Sequence, residues 1–286
     1  MSVLCAYGVG TDARDAPHSL QFACKNTNFP SKTTIFAPHF NANGKKNMYE
    51  QQTLLDVHTH TVASGHAYSS LQEMVHAAAE KRLQILGITE HGPAVEGTCP
   101  LLYFRNNHVV PRRIEGVRLL MGCEMNILDT QGTLDMDESY MRFLDLRIAG
   151  IHGQCWTGGT REENTRGMIA AISNPYVHMI SHPGDGTAEL LFEPIVLAAK
   201  EHHTLLEINN HSLAPIRHKA SARPNNLEIL RLCKRYEVPV ILGSDAHISY
   251  QIADYSRITP LLAETDFPDQ LVMNHQPEAF LEYLSL

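Results

Sequence analysis

The chain has 286 residues, with 31 Asp and Glu against 23 Lys and Arg and as many as 17 His, for a formal net charge of -8. Its 43% apolar and 19% charged residues are a globular composition, which excludes collagen-like, wholly disordered and membrane-embedded classes, and no window approaches the roughly 18 apolar residues of a membrane span. The acidic balance argues against a sequence-independent grip on nucleic acid, which needs surplus Lys and Arg to displace counterions, and six cysteines without a C-x-x-C pair fit free thiols in a reducing cytoplasm.

Residues 1–53 carry Pro30, Pro38, Gly44 and many Asn, Lys, Ser and Thr without a sustained period, and so predict a disordered N-terminal extension. The opening MSVLCAYGVG lacks a basic flank and its apolar run is broken, so no export signal is expected. Met48 marks an alternative start just ahead of the first strong strand.

From residue 54 to 286 the pattern changes to seven short runs rich in Val, Ile and Leu, each closing on a polar cluster. They span Leu54 to His60, Ile85 to Gly92, Val117 to Asn126, Leu146 to Gly153, Val177 to Gly184, Thr204 to His211 and Val238 to His247. Continuous apolar character suits strands buried on both faces, hence a parallel sheet. Between them, Leu71, Met74, Val75, Ala78 and Ala79 form the stripe of a helix packed on a sheet, and Thr165 to Asn174, Phe192 to His202 and Pro224 to Tyr236 read as helices. Such alternation gives either an open doubly wound sheet or a closed β/α barrel.

The strand ends favour the barrel. All but the sixth close on His, Glu or Asp: His58 and His60 with His66 just beyond, then His91, Glu124, His152, His182, and Asp245 with His247. A barrel gathers its strand ends into one mouth, whereas an open sheet spreads them along an edge. His58 and His60 share a face of their strand, as do Asp245 and His247, so each pair can clasp one ion. Imidazole and carboxylate are ligands for zinc, manganese and iron; nine of them suit three metals and could serve two. Glu124, with two oxygens and a place in mid-set, is the natural bridge.

Other polar residues read differently. His178 opens its strand about 13 Å from His182 at ~3.3 Å per residue, which makes it structural. His18, His39, His76, His202 and His203 lie in the extension, on a helix or at a helix end, and are not expected to ligate. Cys123 and Cys155 read as apolar filler rather than soft ligands. His211 faces the mouth at the sixth strand's end, and Arg217, Lys219 and Arg223 follow it in a Pro-containing loop suited to phosphate oxygens. Arg112 and Arg113 read as surface charge.

With DVHTHTVASGHAYS, ITEHG, GCEMN, AGIHG, ISHPG, INN and LGSDAH in this order from Leu54 to Leu286, the sequence resembles the PHP (polymerase and histidinol phosphatase) family, and most of all its small stand-alone, YcdX-like phosphatases. The resemblance implies a distorted, TIM-like (β/α)7 barrel, a PHP phosphatase domain over 54–286, with three divalent transition-metal ions at the C-terminal ends of its strands. By that pattern His58, His60, Glu124 and Asp245 hold one metal, His66, His91 and His247 a second, and Glu124, His152 and His182 a third; zinc leads, with manganese or iron as alternatives. The expected activity is hydrolysis of a small phosphate monoester by a metal-activated hydroxide, with Asp245 and Glu124 as catalytic groups and Arg217, Arg223 and His211 toward the substrate. Homo-oligomerisation is compatible with the sequence. Two other classes remain: an amidohydrolase-type hydrolase, whose usual strand-end lysine is missing from all seven ends, and a metal-binding protein without turnover.

Overall fold

The computed structural model describes residues 53–285, so the expected extension, Thr53 apart, lies outside the described residues. Seven strands run parallel and pair in chain order: β1 (Leu55–Asp56), β2 (Ile85–His91), β4 (Val117–Asn126), β5 (Leu146–Gly150), β6 (Met179–Ile180), β7 (Leu205–Asn209) and β8 (Val240–Gly243). An eighth, β3 (Arg113–Ile114), lies antiparallel on β4 through a tight turn at Glu115 and Gly116, both at positive φ as two-residue hairpin turns require.

The sheet curls until β1 and β8 meet, but only near their carboxyl ends. There Asp245 N–H donates to His58 O (3.0 Å) and His60 N–H to Ala246 O (2.9 Å). Lower down the strands part, and the side chain of Asn274 fills the gap. Its Oδ1 accepts from Leu242 N–H (2.7 Å), while its Nδ2 donates to Leu242 O (2.8 Å) and Leu55 O (3.1 Å). Backbone groups that a fully closed barrel would pair are thus satisfied by one amide, as buried peptide groups must be. The fold is the distorted, nearly closed β/α barrel that the sequence predicts, although β1 and β6 are two residues long where seven and eight were expected.

Among the described residues eight α-helices surround it: α1 (Leu71–Glu80), α2 (Leu101–Arg105), α3 (Glu138–Met141), α4 (Arg161–Ile172), α5 (Phe192–His202), α6 (Ala222–Tyr236), α7 (Thr259–Thr265) and α8 (Pro277–Tyr283). Helix α4 starts four residues before the predicted Thr165 because Thr160 and Glu163 form a reciprocal capping box. On the outer face, Met74, Val75 and Ala78 of α1 pack on Leu86, Ile88, Leu119 and Met121.

Inside the barrel, Leu55, Val57, Ile85, Leu120, Leu146, Ile148, Met179, Leu205 and Ile241 form one cluster, closed from below by Met273, Phe280 and Leu284. Each such side chain contributes roughly 1.5–3 kcal/mol by leaving water. The lower barrel is therefore a dry plug, and the polar strand ends sit on top of it.

Candidate metal centre

All nine strand-end side chains named from the sequence come together at the top of the barrel. Their placement starts in β1, where Val57 still belongs to the apolar interior while His58, the next residue, already joins the cluster. Consecutive residues share the inner side because the regular pleat stops at Asp56. On β4 the pleat persists, so Leu120 and Glu124 point inward together, apolar below and anionic above. His182 and Asp245, just beyond β6 and β8, take left-handed φ values of +33° and +54°. Non-glycine residues hold such conformations at a cost of about 1–3 kcal/mol, the mark of an imposed geometry.

Glu124, wholly buried, is the hub. Its Oε1 lies 3.3 Å from His58 Nε2, 3.3 Å from His152 Nε2 and 2.9 Å from His182 Nε2. Its Oε2 lies 2.9 Å from His91 Nδ1 and 3.5 Å from His60 Nε2. Asp245 Oδ1 approaches His60 Nε2 (3.3 Å), His58 Nε2 (3.7 Å) and His247 Nδ1 (3.5 Å). On the open side, His66 Nε2 faces His247 Nε2 at 3.0 Å.

The far side of several rings fixes which nitrogen carries the proton. His58 Nδ1 contacts Glu207 Oε1 at 2.7 Å, His66 Nδ1 contacts Ser64 O at 3.0 Å and His247 Nδ1 contacts Asp245 O at 3.0 Å. Carbonyls and carboxylates only accept, so in the neutral rings Nδ1 is the donor and Nε2 is bare. His60 follows suit: Ser64 Oγ donates to Glu90 and sits 3.2 Å from His60 Nδ1. Bare Nε2 lone pairs therefore face one another and two carboxylates.

Where both facing atoms are bare these contacts repel, unless a proton or a metal cation lies between them. His58 Nε2, His60 Nε2, His91 Nδ1, Glu124 Oε2 and both nitrogens of His152 are buried without a hydrogen-bond partner, an arrangement that costs several kcal/mol unless something coordinates them. The donor set thus fits divalent metal. Donor atoms lie within 4.8 Å of one another in three sets: His58, His60 and Asp245; His60, His91 and His247; and His91, Glu124 and His152.

Protonation is skewed accordingly. Burial opposes the charge of Glu124, yet His58, His152 and His91 hold its carboxyl well below the usual range; Asp245 is likewise held low, against burial, by His58, His60 and His247. Burial pushes His60 well below its ordinary value, with the facing His91 adding to the effect, and also lowers His91. His182 is buried too, but its bond to Glu124 and that carboxylate's charge lift it to about 9. His58 is raised well above its ordinary value, against burial, by Glu207, Glu124 and Asp245. The carboxylates stay ionised and His60 and His91 stay neutral, the states that ligate metal, whereas His58 and His182 must give up a proton to do so.

A cavity of about 950 Å³ opens above the cluster, with His66, His91, His152, His182, Asp245 and His247 at its floor and Glu96, Gln154, His211, Arg217 and Lys219 on its walls. Lys219 pairs with Asp185 and donates to Thr187 Oγ1 (2.6 Å). Arg223 departs from expectation. It belongs to the first turn of α6, outside the cavity, and pairs with Glu264 on α7. His178 sits where the sequence put it, at the foot of its strand, against Arg147. The buried carboxylates that the sequence reading does not single out include Glu207 behind His58, and Glu90, which also binds Thr61 N–H (3.1 Å). The available signal was an acidic residue inside an otherwise apolar strand.

The PHP domain family model matches residues 56–282. The chain belongs to the PHP family. Among its PHP relatives, a protein of Caldicellulosiruptor bescii named "Probable phosphatase" is 44% identical over 232 residues, covering 81% of this chain and 95% of the relative. A second "Probable phosphatase", from Clostridium novyi, is 44% identical over 231 residues, covering 81% and 94%. The crystal structure of histidinol phosphate phosphatase from Lactococcus lactis, complexed with zinc, L-histidinol and phosphate, aligns with a TM-score of 0.53 at 18% identity over 76% of this chain and 95% of that one. At that identity the likeness concerns the PHP fold alone.

Proposed function

We propose that this PHP-family chain is a metal-dependent phosphatase that hydrolyses a small phosphate monoester at a trinuclear centre in the cytoplasm. One observation carries the reading: nine ligand-type side chains converge with bare nitrogens and ionised carboxylates turned on one another. His58, His60, Glu124 and Asp245 would hold one ion, His66, His91 and His247 a second, and Glu124, His152 and His182 a third. Zinc suits the imidazole-rich set and is the metal named in the histidinol phosphate phosphatase structure; manganese and iron accept the same ligands. Family membership sets the amidohydrolase reading aside.

Bound divalent ions supply a water acidified toward neutrality and offset charge on phosphoryl oxygens. The chain's own residues do the rest. Asp245 Oδ1 points to the cluster while its Oδ2 is held by Asn209 Nδ2 (3.3 Å), which places one carboxylate oxygen to steer the proton of an attacking water. The mouth is roomy enough for a small ester, and the apolar plug beneath closes the barrel to water from below. Arg217, exposed on the wall beside His211, is placed to meet phosphate oxygens with a forked donor.

The test is elemental analysis of protein purified without chelator, together with a screen of phosphate monoesters. The expected result is about three transition-metal ions per chain and hydrolysis that stops on chelation. Arg217→Ala should raise KM by about tenfold, the loss of one charge-assisted hydrogen bond, whereas Arg223→Ala should leave KM unchanged. Fewer than one ion per chain with metal supplied, or no turnover of any phosphate ester by fully loaded protein, would refute the reading.

A further inference from the structure

Of the seven parallel strands, β7 alone ends in no predicted ligand; it carries Glu207 and Asn209 on its inner side, both buried. Glu207 Oε1 accepts from His58 Nδ1 (2.7 Å), and its Oε2 accepts from the backbone N–H of His182 (2.8 Å) and from Asn209 Nδ2 (3.1 Å). Asn209 also reaches Asp245 Oδ2 with Nδ2 (3.3 Å), while its Oδ1 is fixed by Ser212 N–H (2.8 Å) and Oγ (3.0 Å). Two of the nine side chains, His58 and Asp245, and the backbone of a third residue, His182, are thus tied to one carboxylate and one amide.

From this network, and resting on the metal-centre reading above, we infer that Glu207 is a positioning residue that fixes the tautomer of His58 and the backbone of His182, so that both present Nε2 to metal. The carboxylate accepts three hydrogen bonds, one on Oε1 and two on Oε2, and no donor that meets it could accept one in return. Glutamine cannot replace it. With its oxygen toward His58, its amide hydrogens meet the His182 N–H and the Asn209 amide; turned over, they meet His58 Nδ1–H or force the proton onto Nε2. Asn209 cannot flip to compensate, because Ser212 holds its oxygen.

The experiment is a metal titration of chelator-treated wild type and Glu207→Gln, with the fold of each metal-free protein followed by circular dichroism. The expected result is a folded variant that binds at least one ion 10- to 100-fold more weakly, the scale found for outer-shell partners of metal-bound His, with kcat reduced and KM little changed. A folded variant with wild-type affinity for every ion overturns the assignment, while wild-type protein that binds no metal overturns the metal centre instead. Should the variant fail to fold, 15N-histidine spectra of zinc-loaded wild type decide: His58 protonated at Nδ1 is expected, and His58 protonated at Nε2 refutes the role.

Discussion

Gly243, the last residue of β8, is expected to tolerate no side chain at all. A Cβ added there would lie 1.6 Å from Glu207 Oε1 and 2.6 Å from its Cδ. The end of a glutamate can usually swing away, but this one is fully buried and held by His58, His182 and Asn209. Gly243→Ala must therefore either strain β8 or expel the carboxylate. Overpacking of this kind costs about 1–3 kcal/mol, and losing a buried hydrogen bond to a charged group adds roughly 1.5–3 kcal/mol. With both costs incurred, at about 2–4 °C per kcal/mol for a domain of this size, the melting temperature should fall by about 5 to 24 °C. Thermal melts of metal-free and metal-loaded protein, with ion counts on the same samples, check both halves. An alanine variant that melts within 2 °C of wild type and keeps every ion would show that the Glu207 carboxylate is not where the steric argument needs it.

Glu124→Gln keeps the size of the hub but leaves one coordinating oxygen, so metal content and turnover should fall together, the rate by at least ~100-fold as for other lost electrostatic groups; His66→Ala, at the exposed edge, should cost at most one ion, and equal ion loss in both variants would contradict the hub. His178 supplies a pH signature apart from the cluster. Burial and the adjacent Arg147 guanidinium push its pKa down to about 3, below its unfolded value near 6.5, so its stabilisation is complete above pH 6.5 and shrinks as pH falls toward 3. Between pH 6.5 and 5 that amounts to about 2 kcal/mol at 1.36 kcal/mol per unit. Urea unfolding of metal-free wild type and His178→Gln should therefore show a stability gap that narrows by this amount at pH 5, and a constant gap would contradict it.

The cluster was legible because its members interrupt apolar runs where strands end, a position with one structural meaning in a barrel. Glu207 escaped because it lies two residues inside its run, in LLEINN, where the apolar context hides it; yet a buried carboxylate without a nearby Lys or Arg in sequence must find donors elsewhere, and here they are His58 and a backbone amide. Arg223 was misplaced by a boundary. Helix α6 begins at Ala222 rather than Pro224, which carries Arg223 onto an outer face. The turn at Glu115 and Gly116 carried a hairpin signal too short to outweigh its flanks, and α7 and α8 are seven residues each, below the length at which a 3.6 period declares itself.

The seam between β1 and β8 has a temporal consequence. His58 and His60 come from the beginning of the barrel and Asp245 and His247 from its end, and Asn274, which closes the gap below them, is synthesised later still. A ribosome that has released the chain only through β6 and His182 has exposed His58, His60, His66, His91, Glu124, His152 and His182 without the last wall. Ions captured at that stage would meet an incomplete set of donors and an open, wet barrel. Loading of the proposed centre would thus follow release of the chain, when the two ends of the sheet have found each other.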